Sequence, residues 1–490
     1  MTFRMSLNIT ILMISLVLIG ISFAMFYHFT EPAIAQPSIN DPNLTTELIV
    51  DGLASPTSMA FLDSSNILLL EKEGNIRLIS NAQMQPEPVL QLQGVQSNNE
   101  RGLLGIEVVK GEDNNNNNTI SIEGENNVFV YVTENGAQVE GVATEGEVRN
   151  RVYSYSWDGI SLTNPQLLLD LPAGPGTNHQ GGKLKIGPDN QLYVIVGEMQ
   201  REGQLQNFQN GPAPDDTGVI FRISPIDGSP SPNNPFSIDA TDPLSKYYAY
   251  GIRNSFGIDF DPVTGTLWDA ENGEDVFDEI NVVNPGFNSG WKLVMGPIAA
   301  NTDISESDLV IIPGSHYADP VFSWAESRGI TDIEFFDSAA FGPSYENGIF
   351  VGDITTGTLF YFEPDADRTG LNLNGDPSLS DLVTDSDEEM SAVTLGTGFV
   401  GITDIETGPD GNLYILTFDR GAEGQGSLYR ILPAAQGGTT TDAAADAISS
   451  PPPAPDVTPP PVVDDDEDDS EEQDEAEVGD NENEDNNGEE

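Results

Sequence analysis

Three histidines occur in the 490 residues, and His179 is the one whose surroundings suit chemistry. It follows a flexible LPAGPGTN stretch and precedes Gly181-Gly182, where missing side chains let a ligand approach the backbone. At a pocket mouth, such an imidazole is a base able to take a proton from a sugar hydroxyl; a lone histidine can equally be a satisfied structural residue. Arg253 and Asn254 carry the same double reading. An arginine in an acidic chain can pair with surplus carboxylate, yet its planar fork also suits a ligand carboxylate or a developing oxyanion. A third cluster runs from Glu271 to Glu279 and sets five carboxylates around Gly273. Calcium asks for oxygens from side chains and bent backbone, while a solvated acidic loop is the competing reading.

These residues need a scaffold that gathers them, and a repeat supplies it. An apolar strand ends in a Pro/Asp/Gly/Asn turn and leads into a second strand, as in IGPDNQLYVIVGE from Ile186, DFDPVTGTLWDAENG from Asp259 and ETGPDGNLYILTFD from Glu406. The first strands begin near residues 59, 105, 184, 258, 333 and 405, six copies in all, and the hexapeptide GITDIE occurs at both 329–334 and 401–406. A multi-strand unit in six copies predicts an all-β, six-bladed propeller over residues 46–432. A β-helix would have a much shorter period. In a propeller the segments leading into the innermost strands meet at one face near the axis. That rule brings together Glu100 and Arg101, Asn178-His179-Gln180, Arg253-Asn254, Arg328 and Thr331, and Thr403-Asp404.

Composition bounds the rest. There is no cysteine, which excludes disulfides, thiolate zinc sites and cysteine nucleophiles. Arg4, an apolar run from Leu7 to Tyr27 and Ala33-Ile34-Ala35 predict a signal peptide or membrane anchor over residues 1–35, and hence an exported protein. Residues 434–490 predict a disordered Pro-rich and acidic tail, with 17 acidic residues and no basic one from Asp464 onward. Of the net charge of −62, −45 remains on the rest of the chain, which argues against nucleic acid as a partner. The tail is read as a solvating extension, with a cell-envelope tether as its alternative.

Residues 46–432 resemble the soluble glucose, aldose and sorbosone dehydrogenases that use pyrroloquinoline quinone (PQQ) and calcium. The resemblance rests on ERGLLGIEVV from Glu100, NHQGGKLKIGPDNQLYVIVGE from Asn178, YAYGIRNSFGIDFDP from Tyr248 and ENGEDVFDEINVVNPGFNSGWK from Glu271. It implies that His179 is the general base, with Gln180 beside it, and that Arg253 and Asn254 contact the quinone. Glu100 matches a polar cofactor or substrate contact. Gly273 and Glu274 match positions whose carbonyls hold the calcium that polarises PQQ, and Asp278 and Glu279 match an acidic pair at a nearby structural calcium. Two departures stand out. Ile354-Thr355-Thr356 replace a family lysine, and Gly401 and Thr403 stand where the family has arginines, leaving Arg328 as a neighbouring cation. The expected function is oxidation of an aldose at C1 by hydride transfer to PQQ, with an external electron acceptor that the sequence does not name. The alternatives are a non-catalytic sugar- or protein-binding propeller and a calcium-dependent lactonase-type hydrolase.

Overall fold

The computed structural model describes residues 36–110, 126–140, 142, 146–236, 242–373, 377–419 and 426–434. The expected leader and acidic tail lie outside them.

The apolar second strands of the repeat become Asn66–Glu71, Asn126–Glu134, Leu192–Val196, Leu267–Glu271, Gly348–Asp353 and Leu413–Thr417. Nearly every residue in them is buried, on both faces, which is why they read as continuous apolar runs instead of alternating ones. Among the described residues the strands assemble into six sheets of four to six strands each. Every sheet has one repeat's first strand at its edge: Pro56–Phe61, Leu103–Val109, Leu184–Ile186, Ser255–Phe260, Ile330–Phe336 and Ile402–Thr407. The architecture is an all-β propeller, with helix confined to short pieces such as Asp387–Val393. Gly426–Pro433, the GSLYRILP segment, pairs antiparallel with Leu44–Leu53, so the two ends of the described chain complete the last sheet. Ser38–Ile39 adds to the sheet before it.

The edge strands follow one another around a closed circle, and side chains stitch each to the next. Thr57 Oγ1 donates to the Leu103 carbonyl (2.7 Å), and Glu107 accepts the Ile186 N–H (3.1 Å). Lys185 meets Asp259 (3.2 Å), whose other oxygen accepts the Phe335 N–H (2.8 Å). Asp332 accepts the Ile405 N–H (2.8 Å), and Asp404 closes the circle by accepting the Met59 N–H (2.7 Å). Alternate residues of a strand face the same way, so each innermost strand turns its odd or even set toward the axis. The axis is therefore filled by Glu107, Lys183, Lys185, Asp259, Asp332, Glu334, Asp404 and Glu406. The two GITDIE copies supply four of the carboxylates. Space there is short: a Cβ at Gly105 would sit 2.0 Å from the Gly182 carbonyl, and one at Gly257 2.6 Å from Asp332 Cα.

Six axial carboxylates face two lysines, and burial pushes Glu107 up to about 7, with Lys185 pulling it down and Glu406 pushing it up. A carboxyl whose folded pKa is raised contributes stability that is present below about pH 4.5 and lost as pH rises through about 7. Glu107→Gln should therefore raise the melting temperature at pH 8 by an amount worth about 1–2 kcal/mol and leave it nearly unchanged at pH 5. Equal shifts at both pH values would show that Glu107 does not titrate in this range.

Candidate active site

A cavity of about 740 Å³ opens at the end of the axis where the innermost strands begin, and residues from all six sheets and their leads line it. His179 is at its wall in a left-handed backbone conformation, φ 60°. That conformation is unfavourable for a residue with a Cβ and persists only where neighbours fix it. Here the His179 N–H donates to Glu100 Oε2 (2.6 Å) and its carbonyl accepts from the Met199 N–H (3.3 Å). Gly197 makes the fit possible, since a Cβ there would lie 2.2 Å from the His179 carbonyl oxygen.

The imidazole is held as firmly as the backbone. His179 Nδ1 donates to Glu198 Oε1, and Glu198 Oε2 accepts the Arg201 N–H (2.7 Å). A carboxylate only accepts, so Nδ1 carries a proton, and in the neutral ring the lone pair is on Nε2. With the side chain 14% exposed, that lone pair is available to a small ligand while bulk water is mostly excluded. The arrangement is a base with its orienting acid, the first requirement for removing a hydroxyl proton.

Arg253 and Asn254 arrive from the fourth sheet. Glu100 Oε2 accepts from Asn254 Nδ2 (3.0 Å) as well as from His179, so one carboxylate ties both to the second sheet. The Arg253 N–H donates to Glu271 Oε1 (2.6 Å), its Nη1 donates to the Asn272 carbonyl (3.0 Å), and its guanidinium lies 5.1 Å from the Trp291 ring centroid. Arg253 Nε and Asn254 Oδ1 are buried at the cavity without a hydrogen-bond partner. Native proteins seldom leave such atoms unsatisfied, so they mark places where a polar ligand atom is wanted.

The residues singled out from sequence divide into two groups. Glu100, His179, Arg253, Asn254, Gly273 and Glu274 all line this one cavity, as do Thr331, Thr403 and Asp404. Gln180 does not. The left-handed turn at His179 sends it into the core, where it is fully buried and its Oε1 accepts from Asn150 Nδ2 (2.9 Å). Asp278 is engaged by the protein's own donors. Its oxygens already accept from the Gly273, Arg328 and Gly329 N–H groups and from Ser327 Oγ, which uses its whole acceptor capacity. Glu279 is buried behind the loop, where it accepts from the Gly296 N–H and Asn281 Nδ2, and burial holds its carboxyl well above the usual range. Among the described residues no three acidic or histidine side chains gather to hold a metal ion. Of the Gly181-Gly182 pair, only Gly181 lines the cavity. A Cβ on Gly182 would strike Leu104 at 2.8 Å, so that glycine serves packing against the second sheet.

Glu198, Lys72 and Lys183 at or behind the cavity were not singled out from the sequence. A signal for Glu198 exists. An acid closes the second strand of four repeats, as Glu71, Glu134, Glu271 and Asp353, and Glu198 follows its strand by two residues; every one of these is buried.

Comparison with known proteins gives the family. Residues 53–430 match the family model described as glucose/sorbosone dehydrogenase. The aldose sugar dehydrogenase YliI of Escherichia coli is 26% identical over 397 residues, covering 80% of this chain and 93% of that protein. Quinoprotein glucose dehydrogenase B of Acinetobacter calcoaceticus is 27% identical over 276 residues, 52% of this chain and 53% of that one. The PQQ-bound aldose sugar dehydrogenase of Streptomyces coelicolor has the same fold, with a TM-score of 0.56 at 22% identity over 81% of this chain and 99% of that chain. With more than three quarters of its length matched, the chain belongs to the glucose/sorbosone dehydrogenase family.

Proposed function

We propose that the chain is an exported quinoprotein that oxidises an aldose at C1, its six sheets serving as six blades around one axial site. The observation that carries this reading is the His179–Glu198 pair set beside the unsatisfied Arg253 Nε and Asn254 Oδ1 in one cavity. Those atoms, with Arg253 and Lys72 as cations on the cavity wall, fit a flat, carboxylate-bearing quinone. The carbonyls of Gly273 and Glu274 are the groups that would hold a calcium ion beside it. When bound, PQQ supplies the hydride acceptor that no amino-acid side chain can provide, and calcium polarises it.

The chain's own residues do the remaining work. His179 Nε2 takes the proton of the C1 hydroxyl, and Glu198 stabilises the imidazolium that results. Arg253, buried and stacked on Trp291, would offset negative charge developing on a bound acceptor. Glu100 keeps base and amide at a fixed separation by accepting from both.

The deciding experiment is reconstitution with PQQ and calcium followed by a dye-linked assay over a panel of aldoses. Turnover of at least one aldose is expected. A folded protein that binds no PQQ would favour a second reading, a propeller that binds a sugar without oxidising it. Thr355 and Thr403 lend that reading its support, because they line the cavity where the resemblance leads one to expect cations. Calcium should act on stability as well. Saturating calcium at a hundred times its Kd adds about 2.7 kcal/mol, so the melting temperature should rise with calcium and fall with chelator. A melting curve indifferent to both would remove calcium from the proposal.

A further inference from the structure

Arg328 does not reach the large cavity. Ser327 and Gly329 line that cavity, while Arg328 between them lines a second one of about 350 Å³. The bend after Gly348–Asp353 divides the same way, with Ile354 and Thr355 on the large cavity and Thr356 on the small one. Two short segments thus form a shared wall, and the small cavity lies against the outer part of the fifth sheet. Its volume is within the roughly 300–1,000 Å³ of small-ligand sites.

Its lining is specific. Met390 gives an apolar surface over the buried Phe360; Thr356, Ser391 and Asn40 give polar groups, and Arg328 gives a cation. The backbone beneath Arg328 is fixed, because the N–H groups of Arg328 and Gly329 donate to Asp278 Oδ2 at 2.5 and 2.7 Å. Its guanidinium is poorly paired for a chain this acidic. Arg328 Nη2 meets Glu326 at 3.0 Å, but that carboxylate is 78% exposed, and Nε is buried without a hydrogen-bond partner. An exposed pair of this kind is worth little, so a ligand carboxylate can displace Glu326 at small cost. Asp353 nearby is sealed off, since its oxygens accept from the Thr356, Gly357 and Thr358 N–H groups.

An arginine fork, hydroxyl and amide groups, and an apolar wall together match a sugar ring that carries a carboxylate. We propose that the small cavity is a binding site for a hexuronic acid, with Arg328 on the carboxylate and Met390 against the ring's C–H face. This assignment stands apart from the redox reading of the large cavity and does not require PQQ.

The test is calorimetric titration of the full chain, without PQQ, with glucuronate and galacturonate against glucose. At least one uronate should bind ten- to a hundredfold more tightly than glucose, and Arg328→Met should erase that difference. His179→Ala should leave uronate binding unchanged, which separates this site from the large cavity. Glu326→Gln, a change at an exposed side chain that leaves the fold intact, should tighten uronate binding by removing the competing carboxylate. Equal affinity for uronate and glucose, uronate binding that survives Arg328→Met, loss of binding in His179→Ala, or no tightening in Glu326→Gln would overturn the assignment.

Discussion

His179→Ala is expected to lower turnover by about 10²–10⁴ in protein loaded with PQQ and calcium, while the melting temperature and the calcium response stay near wild type. The reason lies in how the imidazole is prepared. Glu198 fixes a proton on Nδ1, so Nε2 is the nitrogen that acts as base in the neutral ring. Removing the ring deletes that base, yet the backbone contacts to Glu100 and Met199 remain, because they use the His179 N–H and carbonyl. Glu198→Gln provides the companion result. An amide can present its NH₂ to Nδ1 and stabilise the wrong tautomer, so turnover should fall and its pH dependence should change, with binding little altered. Arg253→Ala should behave differently, weakening cofactor binding more than His179→Ala does, since it removes a cation from the cavity wall. An active wild type with an equally active His179→Ala variant would disprove the assigned base.

The sequence makes some of this legible, and physics explains which part. The propeller can be read because each second strand is buried on both faces and therefore leaves an unbroken apolar run, six times over. His179, Arg253, Asn254 and Glu100 can be placed together because every repeat begins at the same face. What escapes is the direction of individual side chains. Gln180 and His179 are neighbours in sequence, yet one left-handed residue turns the first into the core and the second into the cavity. The resemblance implies that Asp278 is a calcium contact, while nothing in a sequence shows that four of the chain's own donors will close on it. Arg328 precedes its strand as Arg253 does, but its neighbours on both sides take the large cavity and it is left facing the small one. The GITDIE repeat marks periodicity in the sequence, whereas its two acids acquire meaning only when Lys183 and Lys185 enter from another sheet.

Those lysines carry the second large effect, which concerns stability. Lys183→Met is expected to destabilise the fold by about 3–5 kcal/mol at pH 8, a fall of roughly 5–10 °C in melting temperature. Lys183 Nζ lies 2.9 Å from Asp332 and 2.5 Å from Asp404, with Glu406 at 3.5 Å, and the carboxylates hold its pKa well above the ordinary lysine value despite burial. Methionine keeps most of the volume, so the loss isolates the charge. Without the ammonium, Asp332 and Asp404 face each other at the axis, and both are needed in place because their oxygens hold the Ile405 and Met59 N–H groups that join the last sheet to its neighbours. The sign of the pH dependence follows from the acids. Their repulsion disappears once they are protonated, so the deficit of Lys183→Met should shrink as pH is lowered from 8 to 5. Adding Asp404→Asn should recover part of the loss, because an amide still accepts the Met59 N–H and removes one of the two unpaired charges. A Lys183→Met protein that melts like wild type at pH 8, or a double variant no more stable than the single one, would mean that the axial charges are not what holds the circle of strands together.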